Sequence, residues 1–127
     1  AEWEFAARGG LKTRNTLYSG SNNLDSVAWY KDNSKYQTHI VGEKGANELG
    51  IYDMSGNVLE WCIDWYRNYF SEQNLNPKGP PRGENRVVRG GGWSLELSRD
   101  FRLAYRADLN PNYRLIEFGF RLCRGLP

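Results

Sequence analysis

Two acidic side chains beside a tight turn carry the most suggestive chemistry of this chain. Asp53 and Glu60 stand on either side of residues 55–57, whose serine, glycine and asparagine favour a turn with positive φ. Carboxylate and carbonyl oxygens are the ligands that calcium takes, about 6–8 of them at roughly 2.3–2.6 Å. The residue types therefore suit a calcium site at the turn. The alternative is that both acids cap helix ends or pair with arginines.

The acids must be positioned by the segment that surrounds them, residues 47–65. Apolar side chains precede the turn and return after it, at Leu49, Ile51, Tyr52, Met54, Val58, Leu59, Trp61, Ile63 and Trp65. This distribution predicts a tight turn that leads into a short buried element. The rest of the chain is expected to pack around this segment.

Thiol and imidazole chemistry has less support in the sequence. The two cysteines, Cys62 and Cys123, permit one disulfide bond but lack the paired spacing of a zinc site. The sequence leaves that disulfide open. Cys62 stands among aromatic residues and is predicted to be a small buried apolar side chain. His39 has no evident catalytic companion and is predicted to be a polar residue of a loop or strand.

Length and composition limit the class of protein. A chain of 127 residues can bury one core and is predicted to form a single domain. Its formal net charge of +2 points to no nucleic-acid partner, and no window is long and apolar enough for insertion into a membrane. Five tryptophans, eight tyrosines and fourteen glycines are typical of a compact, irregular fold whose loops pack under large rings.

The predicted regular elements are few and short. Residues 2–8 favour a helix that the following glycine pair ends, and residues 71–86 contain enough proline and glycine to exclude the interior of a sheet. Short strands are predicted over residues 38–41, 86–89 and 118–122. A few strands with fewer helices and much irregular structure define an α+β class.

Five short motifs follow one another along almost the whole chain: residues 2–8, 50–65, 76–80, 89–93 and 119–121. In this order they resemble the C-terminal half of the formylglycine-generating enzyme (sulfatase-modifying factor) family. The resemblance implies a variant of the C-type lectin fold, low in regular secondary structure. A family domain is about twice as long, so residues 1–127 are expected to be its C-terminal part, which would pair with an absent N-terminal half.

The resemblance also implies a structural calcium ion at the turn. Carried over to this chain, its ligands are the side chains of Asp53 and Glu60 and the backbone carbonyls of Gly56 and Val58. Both acidic positions of the family's loop are occupied here. Calcium is therefore the expected cofactor.

The catalytic chemistry of the family is not expected in this chain. Family enzymes oxidise a cysteine of a sulfatase peptide to formylglycine, using oxygen and a copper(I) ion held by two cysteine thiolates, the soft ligands that copper(I) selects. Aligned on residues 90–93, those positions fall near Leu95 and Asp100, and neither is a thiol. A copper site is accordingly not expected. A cysteine-oxidising enzyme with a rearranged metal site is the alternative.

A non-catalytic binding domain is the favoured function, with its surface in the segment after Trp93. Aromatic and arginine side chains supply much of the energy of binding sites, and small polar residues add adaptable hydrogen bonds. The candidate ligand-binding residues are Trp93, Leu95, Arg99, Asp100, Tyr105, Asn110 and Tyr113. The sequence does not identify the ligand, which is a protein or a small molecule. Arg102 and Arg106 either share a helical face or are buried partners of Glu60 and Asp64.

A further alternative is a variable binding protein diversified by a retroelement. Such proteins use the same fold and keep the motifs at residues 89–93 and 119–121 around a hypermutated segment. Glu96 and Glu117 do not fit this alternative, because adenine-directed mutation of asparagine codons does not yield glutamate. An extracytoplasmic or cell-surface location is the expected one.

Overall fold

The structure is a computed structural model that describes residues 1–69, 77 and 79–123. Within those residues the chain forms two short α-helices, two 3₁₀ helices and four strands. The α-helices are α1, Glu2–Ala7, and α2, Leu24–Val27, and the 3₁₀ helices are Gly10–Lys12 and Ser98–Phe101. The strands are β1, Leu59–Trp65; β2, Arg86–Arg89; β3, Ala107–Leu109; and β4, Phe118–Gly119.

The four strands form one mixed sheet in the order β3-β2-β1-β4. β2 runs antiparallel to both β1 and β3, whereas β4 runs parallel to β1. Glu60 stands opposite Arg89 on β2 and opposite Gly119 on β4, so it occupies the centre of the sheet. The register between β1 and β2 shifts between Trp61 and Trp65. Such an irregularity bends a strand and re-aims its side chains.

The described core contains two clusters of buried side chains, in addition to the buried Leu59 of β1 and Val87 and Val88 of β2. The first contains Tyr18, Val27, Ala28 and Phe101, with Leu24, Tyr30 and Leu95 packed against it. The second contains Ala7, Met54 and Leu103, with Trp3, Ala6 and Ile51 around it. Both clusters join residues far apart in sequence, so short elements are held by tertiary packing more than by their own propensity.

The turn before β1 connects three other parts of the chain through its backbone. Gly56 and Asn57 have φ angles of 85° and 65°, in the left-handed region. The Gly56 amide donates to the carbonyl of Gly90 at 2.7 Å, and the Asn57 amide donates to that of Trp29 at 2.8 Å. The carbonyl of Asn57 accepts from the amide of Trp93, also at 2.8 Å. The predicted turn is thus the junction on which the loops converge.

Most of the predicted elements are present, and one is wrong. The helix over residues 2–8, the strand over 86–89 and the α+β class are confirmed, and the predicted strand over 118–122 is shortened to β4. Residues 38–41 form no strand. Of the predicted loop over 71–86, residues 71–76 and 78 lie outside the described residues. None of the described helices is long and apolar enough to cross a bilayer.

Candidate functional site

Glu60 is the most buried acidic residue of the predicted calcium site, with 4% of its surface exposed. Its carboxylate accepts hydrogen bonds from Trp3 Nε1 at 2.7 Å and from Arg121 Nε at 2.7 Å, both at Oε2. Arg121 Nη2 donates to the other oxygen, Oε1. The guanidinium therefore binds the carboxylate through two nitrogens, the strongest geometry that a protein offers to a carboxylate. Arg121 was not among the sequence-predicted site residues.

Asp53 has a different set of neighbours. Its Oδ2 accepts from the amide of Gly42 at 2.8 Å, while its Oδ1 is buried and has no hydrogen-bond partner among the described residues. Its own carbonyl accepts from Arg121 Nη2 at 3.3 Å. The φ angle of Asp53 is 55°, which is costly for a residue other than glycine. Asp53 is thus held in a strained conformation by bonds on both its side chain and its backbone.

These contacts do not fit the predicted calcium ligand set. Both oxygens of Glu60 are used by nitrogen donors, and the Asp53 carboxylate accepts from a different donor, the amide of Gly42. In the part of the chain that the structure describes, no three His, Cys, Asp or Glu side chains come together as metal ligands. Asp53 Oδ1, buried and unpartnered, is the atom of the pair that suits a cation. Calcium coordination by Asp53, Gly56, Val58 and Glu60 stays a prediction.

The first part of the predicted ligand-binding segment is packed into the fold. Trp93 is buried, its carbonyl accepts from Ser34 Oγ at 2.9 Å, and its indole Nε1 has no described partner. Leu95 packs against the cluster around Phe101, and its carbonyl accepts from the amide of Lys31. The structure therefore gives Trp93 and Leu95 an internal position, from which they would support a binding surface rather than form its exposed part.

The next part of the segment contains a small polar cluster. Asp100 is buried, and its carboxylate lies 3.6 Å from the Arg99 guanidinium and in the neighbourhood of the Tyr105 hydroxyl. Burial raises the pKa of the Tyr105 hydroxyl, and the neighbouring Asp100 carboxylate raises it further. The Tyr105 hydroxyl is accordingly neutral at physiological pH. The Arg99 side chain is 72% exposed, so one charged group of the cluster reaches solvent.

Asn110 and Tyr113 close the segment after β3. The Asn110 side chain accepts from the amide of Asn112 at 3.0 Å, and its carbonyl accepts from the amide of Tyr113 at 3.0 Å. This geometry is an Asx turn, in which asparagine replaces a backbone acceptor. Tyr113 is 60% exposed. Of the seven predicted binding residues, the structure thus exposes Arg99 and Tyr113 most clearly and joins Asp100 to Arg99 and Tyr105.

The two arginines expected on a helix or beside the β1 acids occupy neither position. Arg102 follows the 3₁₀ helix and is exposed, whereas Arg106 lies over the rings of Tyr66 and Tyr69 at 5.0 and 4.4 Å. The pairing partner of Glu60 is Arg121 instead. The missed signal was the motif at residues 119–121, whose arginine follows a strand that pairs with β1.

The cysteines are separate and free. Cys62 is half-buried on β1 and Cys123 is exposed beyond β4, with no disulfide between them. Burial raises the pKa of the Cys62 thiol from 9.0 to about 11, so this thiol is protonated at neutral pH. His39, predicted on a loop or strand, lies on a loop and stacks on Trp29 with ring centroids 3.7 Å apart.

An open depression lies on the sheet, lined by residues that were not predicted as site residues. Its volume is about 380 Å³, and it is lined by Trp61, Cys62, Ile63, Arg86 and Pro111. Trp61 also packs on Phe118, with ring centroids 5.3 Å apart. The Ile63 side chain is 85% exposed there. This face of β1 is therefore apolar and reachable from solvent.

The mixed sheet, the short helices and the long loops define a class of protein when they are compared with known structures. The chain superimposes on Treponema denticola variable protein 1 with a TM-score of 0.85 and 37% identity, covering 94% of this chain and 43% of that one. The class is the C-type lectin-like fold of the formylglycine-generating enzyme type, as predicted. Residues 1–126 match the family model described as a sulfatase-modifying factor enzyme 1-like domain, and the chain belongs to that family.

Similar sequences carry different names. The chain is 46% identical to a chaperone protein LppX from Paenibacillus barcinonensis, over 98% of this chain and 47% of that protein. It is 33% identical to the formylglycine-generating enzyme of Bos taurus, over 95% of this chain and 36% of that enzyme. The chain thus spans less than half the length of each of these relatives. The expected pairing with an N-terminal half stays a prediction.

Proposed function

We propose that this chain is a non-catalytic binding domain of its family. Its contact region would be the surface formed by Leu97, Arg99, Tyr113, Leu115 and Ile116, named here the 97–116 surface. The observation that carries the proposal is the contrast in solvent exposure between neighbouring side chains of this segment. Asp100, Phe101 and Leu103 are at most 9% exposed, whereas the five surface side chains are at least half exposed.

The composition of the 97–116 surface suits recognition. Exposed aromatic and arginine side chains supply large contact area and directional hydrogen bonds. The Arg99 guanidinium is partly neutralised by Asp100, so its exposed nitrogens can bond to a ligand carbonyl or carboxylate. Leu97, Leu115 and Ile116 add exposed apolar area to the same segment. Buried anchors on both sides of Arg99 give this region a fixed backbone, which lowers the entropic cost of binding.

The residues at the family's copper positions support a role other than cysteine oxidation. Copper(I) requires soft thiolate ligands, and Leu95 and Asp100 offer an alkyl group and a hard carboxylate. Leu95 is packed against the core, and Asp100 is buried 3.6 Å from the Arg99 guanidinium. Cys62 stands on another element, and burial raises its pKa to about 11. The chain therefore lacks a thiolate pair in the segment where the family chemistry takes place.

The comparisons support this proposal at the level of class. One relative is named as a chaperone and one solved neighbour as a variable protein, and neither name describes oxidation of a peptide cysteine. The formylglycine-generating enzymes are also similar, at 33% identity for the bovine protein. Oxidation of a cysteine is therefore the function that the first experiment must address.

That experiment incubates the chain with a cysteine-containing sulfatase-motif peptide, copper(I) and air, and follows the peptide by mass spectrometry. We expect the thiol to remain intact, because the chain offers no thiolate pair near Asp100. An active formylglycine-generating enzyme is the positive control. Conversion of the peptide cysteine to an aldehyde by the chain, but not by its Cys62→Ser or Cys123→Ser variant, would overturn the proposal.

A second experiment addresses binding. The chain is applied to arrays of glycans and of peptides, beside the variant Arg99→Ala/Tyr113→Ala and the control Leu11→Ala. Leu11 is 95% exposed on the Gly10–Lys12 helix, outside the 97–116 surface. We expect the double variant to lose at least about tenfold in affinity for any probe that binds, as hot-spot truncations do. Equal binding by all three proteins would place the contact elsewhere.

A retroelement-diversified binding protein is the second candidate. It is favoured by the TM-score of 0.85 to a protein named as variable. Within this chain, Glu96 bonds to the Lys31 side chain, and the 97–116 surface follows directly. The test is the genomic neighbourhood: a reverse transcriptase gene and a template repeat matching this segment would support the candidate, and their absence would exclude it.

A further inference from the structure

The Arg121 guanidinium contacts several oxygen atoms around the turn before β1. Arg121 Nη2 donates to the carbonyls of Tyr52 at 3.2 Å and Asp53 at 3.3 Å, and also to Glu60 Oε1. Its Nε donates to Glu60 Oε2 at 2.7 Å. Four oxygens from three residues therefore face a single positive charge.

This arrangement resembles a cation-binding site in which the cation is a side chain of the protein, the Arg121 guanidinium. Two carboxylate oxygens and two backbone carbonyls are the hard donors that calcium takes. A guanidinium offers a fixed positive charge and a planar fork that matches a carboxylate. It would thereby neutralise the Glu60 carboxylate, which is 4% exposed and would be costly to bury unpaired. Trp3 Nε1 adds a further donor at Oε2, so both oxygens have partners.

We propose that the Arg121 guanidinium, rather than a calcium ion, neutralises Glu60 and that the turn is closed without a metal ion. It bonds to the Glu60 carboxylate and to the carbonyls of Tyr52 and Asp53, not to the carbonyls of Gly56 and Val58 that the calcium prediction used. Asp53 contributes its carbonyl rather than its carboxylate, whose Oδ2 is bonded to the amide of Gly42. The ion pair then links β1 to the chain just beyond β4, while Trp3 attaches α1 to the same carboxylate. The proposal is independent of the binding role assigned to the 97–116 surface.

The first test uses the unaltered chain, prepared free of metal with a chelator and then titrated with calcium. We expect the melting temperature to change by less than about 1 °C in excess chelator, because the Arg121 guanidinium, and not a metal ion, would neutralise Glu60. Isothermal titration calorimetry should show no calcium binding that depends on Glu60. A melting temperature that falls on chelation, with micromolar calcium binding that the Glu60→Gln variant loses, would overturn the proposal.

The second test removes the internal cation. Arg121→Gln leaves Glu60 charged and buried, so we expect the melting temperature to fall by about 10 °C or more. Calcium at millimolar concentration should recover part of this loss, because the vacated oxygens then face a free cation, and magnesium should recover less. A structural role without cation replacement would give no such recovery. An Arg121→Gln variant as stable as the unaltered chain would contradict the proposal.

Two further variants make the second test specific. In the Glu60→Gln/Arg121→Gln variant, both charges are absent, so its stability should exceed that of Arg121→Gln and should not respond to calcium. Arg102→Gln is the matched control, because Arg102 is an exposed arginine on another segment. It should melt as the unaltered chain does. A calcium response in the double variant would show that calcium acts elsewhere, and would refute the assignment to this site.

Discussion

Gly56 is the residue at which the turn before β1 allows no side chain. Its φ is 85°, and a Cβ would stand 2.6 Å from the Trp29 carbonyl oxygen and 2.7 Å from the Trp29 amide nitrogen. Both neighbours are backbone atoms, which cannot rotate away as a side chain can. The close approach lets the Asn57 amide reach the Trp29 carbonyl. Glycine is therefore needed here for both conformation and space.

We predict that Gly56→Ala destabilises the chain by about 3 kcal/mol or more, the sum of a left-handed alanine and an overpacked contact. The free energy of unfolding is measured by urea denaturation. Gly50→Ala is the matched control, because Gly50 has a φ of 75° with no atom within 4 Å of the added Cβ. It should cost only about 1–2 kcal/mol. Equal losses in the two variants would contradict the steric explanation.

Cys62 gives a prediction about pH. Burial raises its pKa from 9.0 to about 11, so the folded chain holds this proton more tightly than the unfolded chain. The stability that Cys62 contributes is present in full below pH 9 and is lost as the pH rises through about 11. At pH 8 its thiolate fraction is roughly 100-fold smaller than that of an unshifted thiol.

The measurement is alkylation by iodoacetamide between pH 7 and 10, followed by mass spectrometry of each cysteine peptide. We expect Cys123, which is exposed, to react first, and Cys62 to react much more slowly. Alkylation in denaturant should abolish the difference. Equal rates in the folded chain would show that the Cys62 thiol is not shielded.

At the scale of elements, the loop around His39 shows how a side chain can replace a strand partner. Residues 38–41 were predicted to form a strand, yet the backbone of His39 bonds to a side chain. Asn57 Oδ1 accepts from the His39 amide at 3.0 Å, and Asn57 Nδ2 donates to the His39 carbonyl at 3.2 Å. The side-chain amide of Asn57 thus makes the pair of bonds with His39 that the backbone of a neighbouring strand would otherwise make.

We predict that Asn57→Gly, which keeps the φ of 65° accessible, lowers stability by about 1–3 kcal/mol through loss of these two bonds. Hydrogen exchange by mass spectrometry or NMR should show faster exchange of the His39 amide. The amide of Gly45, bonded to the Ser26 carbonyl at 2.8 Å, is the internal control and should keep its rate. An unchanged His39 rate would show that Asn57 does not hold the loop.

The predictable elements were those with a local signal. The adjacent β-branched residues Val87 and Val88 favoured β2, and the glycine pair after α1 marked where that helix ends. The turn at residues 55–57 was identified by its residue types. The strand at residues 38–41 was wrong because its bonding partner is a side chain distant in sequence. The partner of Glu60 escaped prediction for the same reason, since the two residues are 61 positions apart.

At the scale of the whole molecule, a small sheet organises loops that supply both the internal ion pair and the proposed contact surface. The family and fold were predictable from spaced motifs, and several of these motifs supply contacts of this framework. Arg89 donates to the carbonyl of Leu103 and to Glu4 Oε2, at 3.0 Å in each case, which ties β2 to α1 and to the segment after Trp93. Tertiary packing decides which part of that segment reaches solvent. The sequence pattern alone did not show that Leu95 is packed inside and Leu97 is exposed.

The parallel pairing of β1 with β4 has a consequence for the synthesis of the protein on the ribosome. Leu59 pairs with Phe118, and Glu60 bonds to Arg121. The pairing of one edge of β1 and the neutralisation of its buried acid therefore both require residues that are synthesised much later. Until residue 121 has emerged, the nascent chain has an open strand edge and an uncompensated charge, features that invite aggregation. A message truncated before that codon would therefore give an insoluble fragment rather than a smaller folded domain.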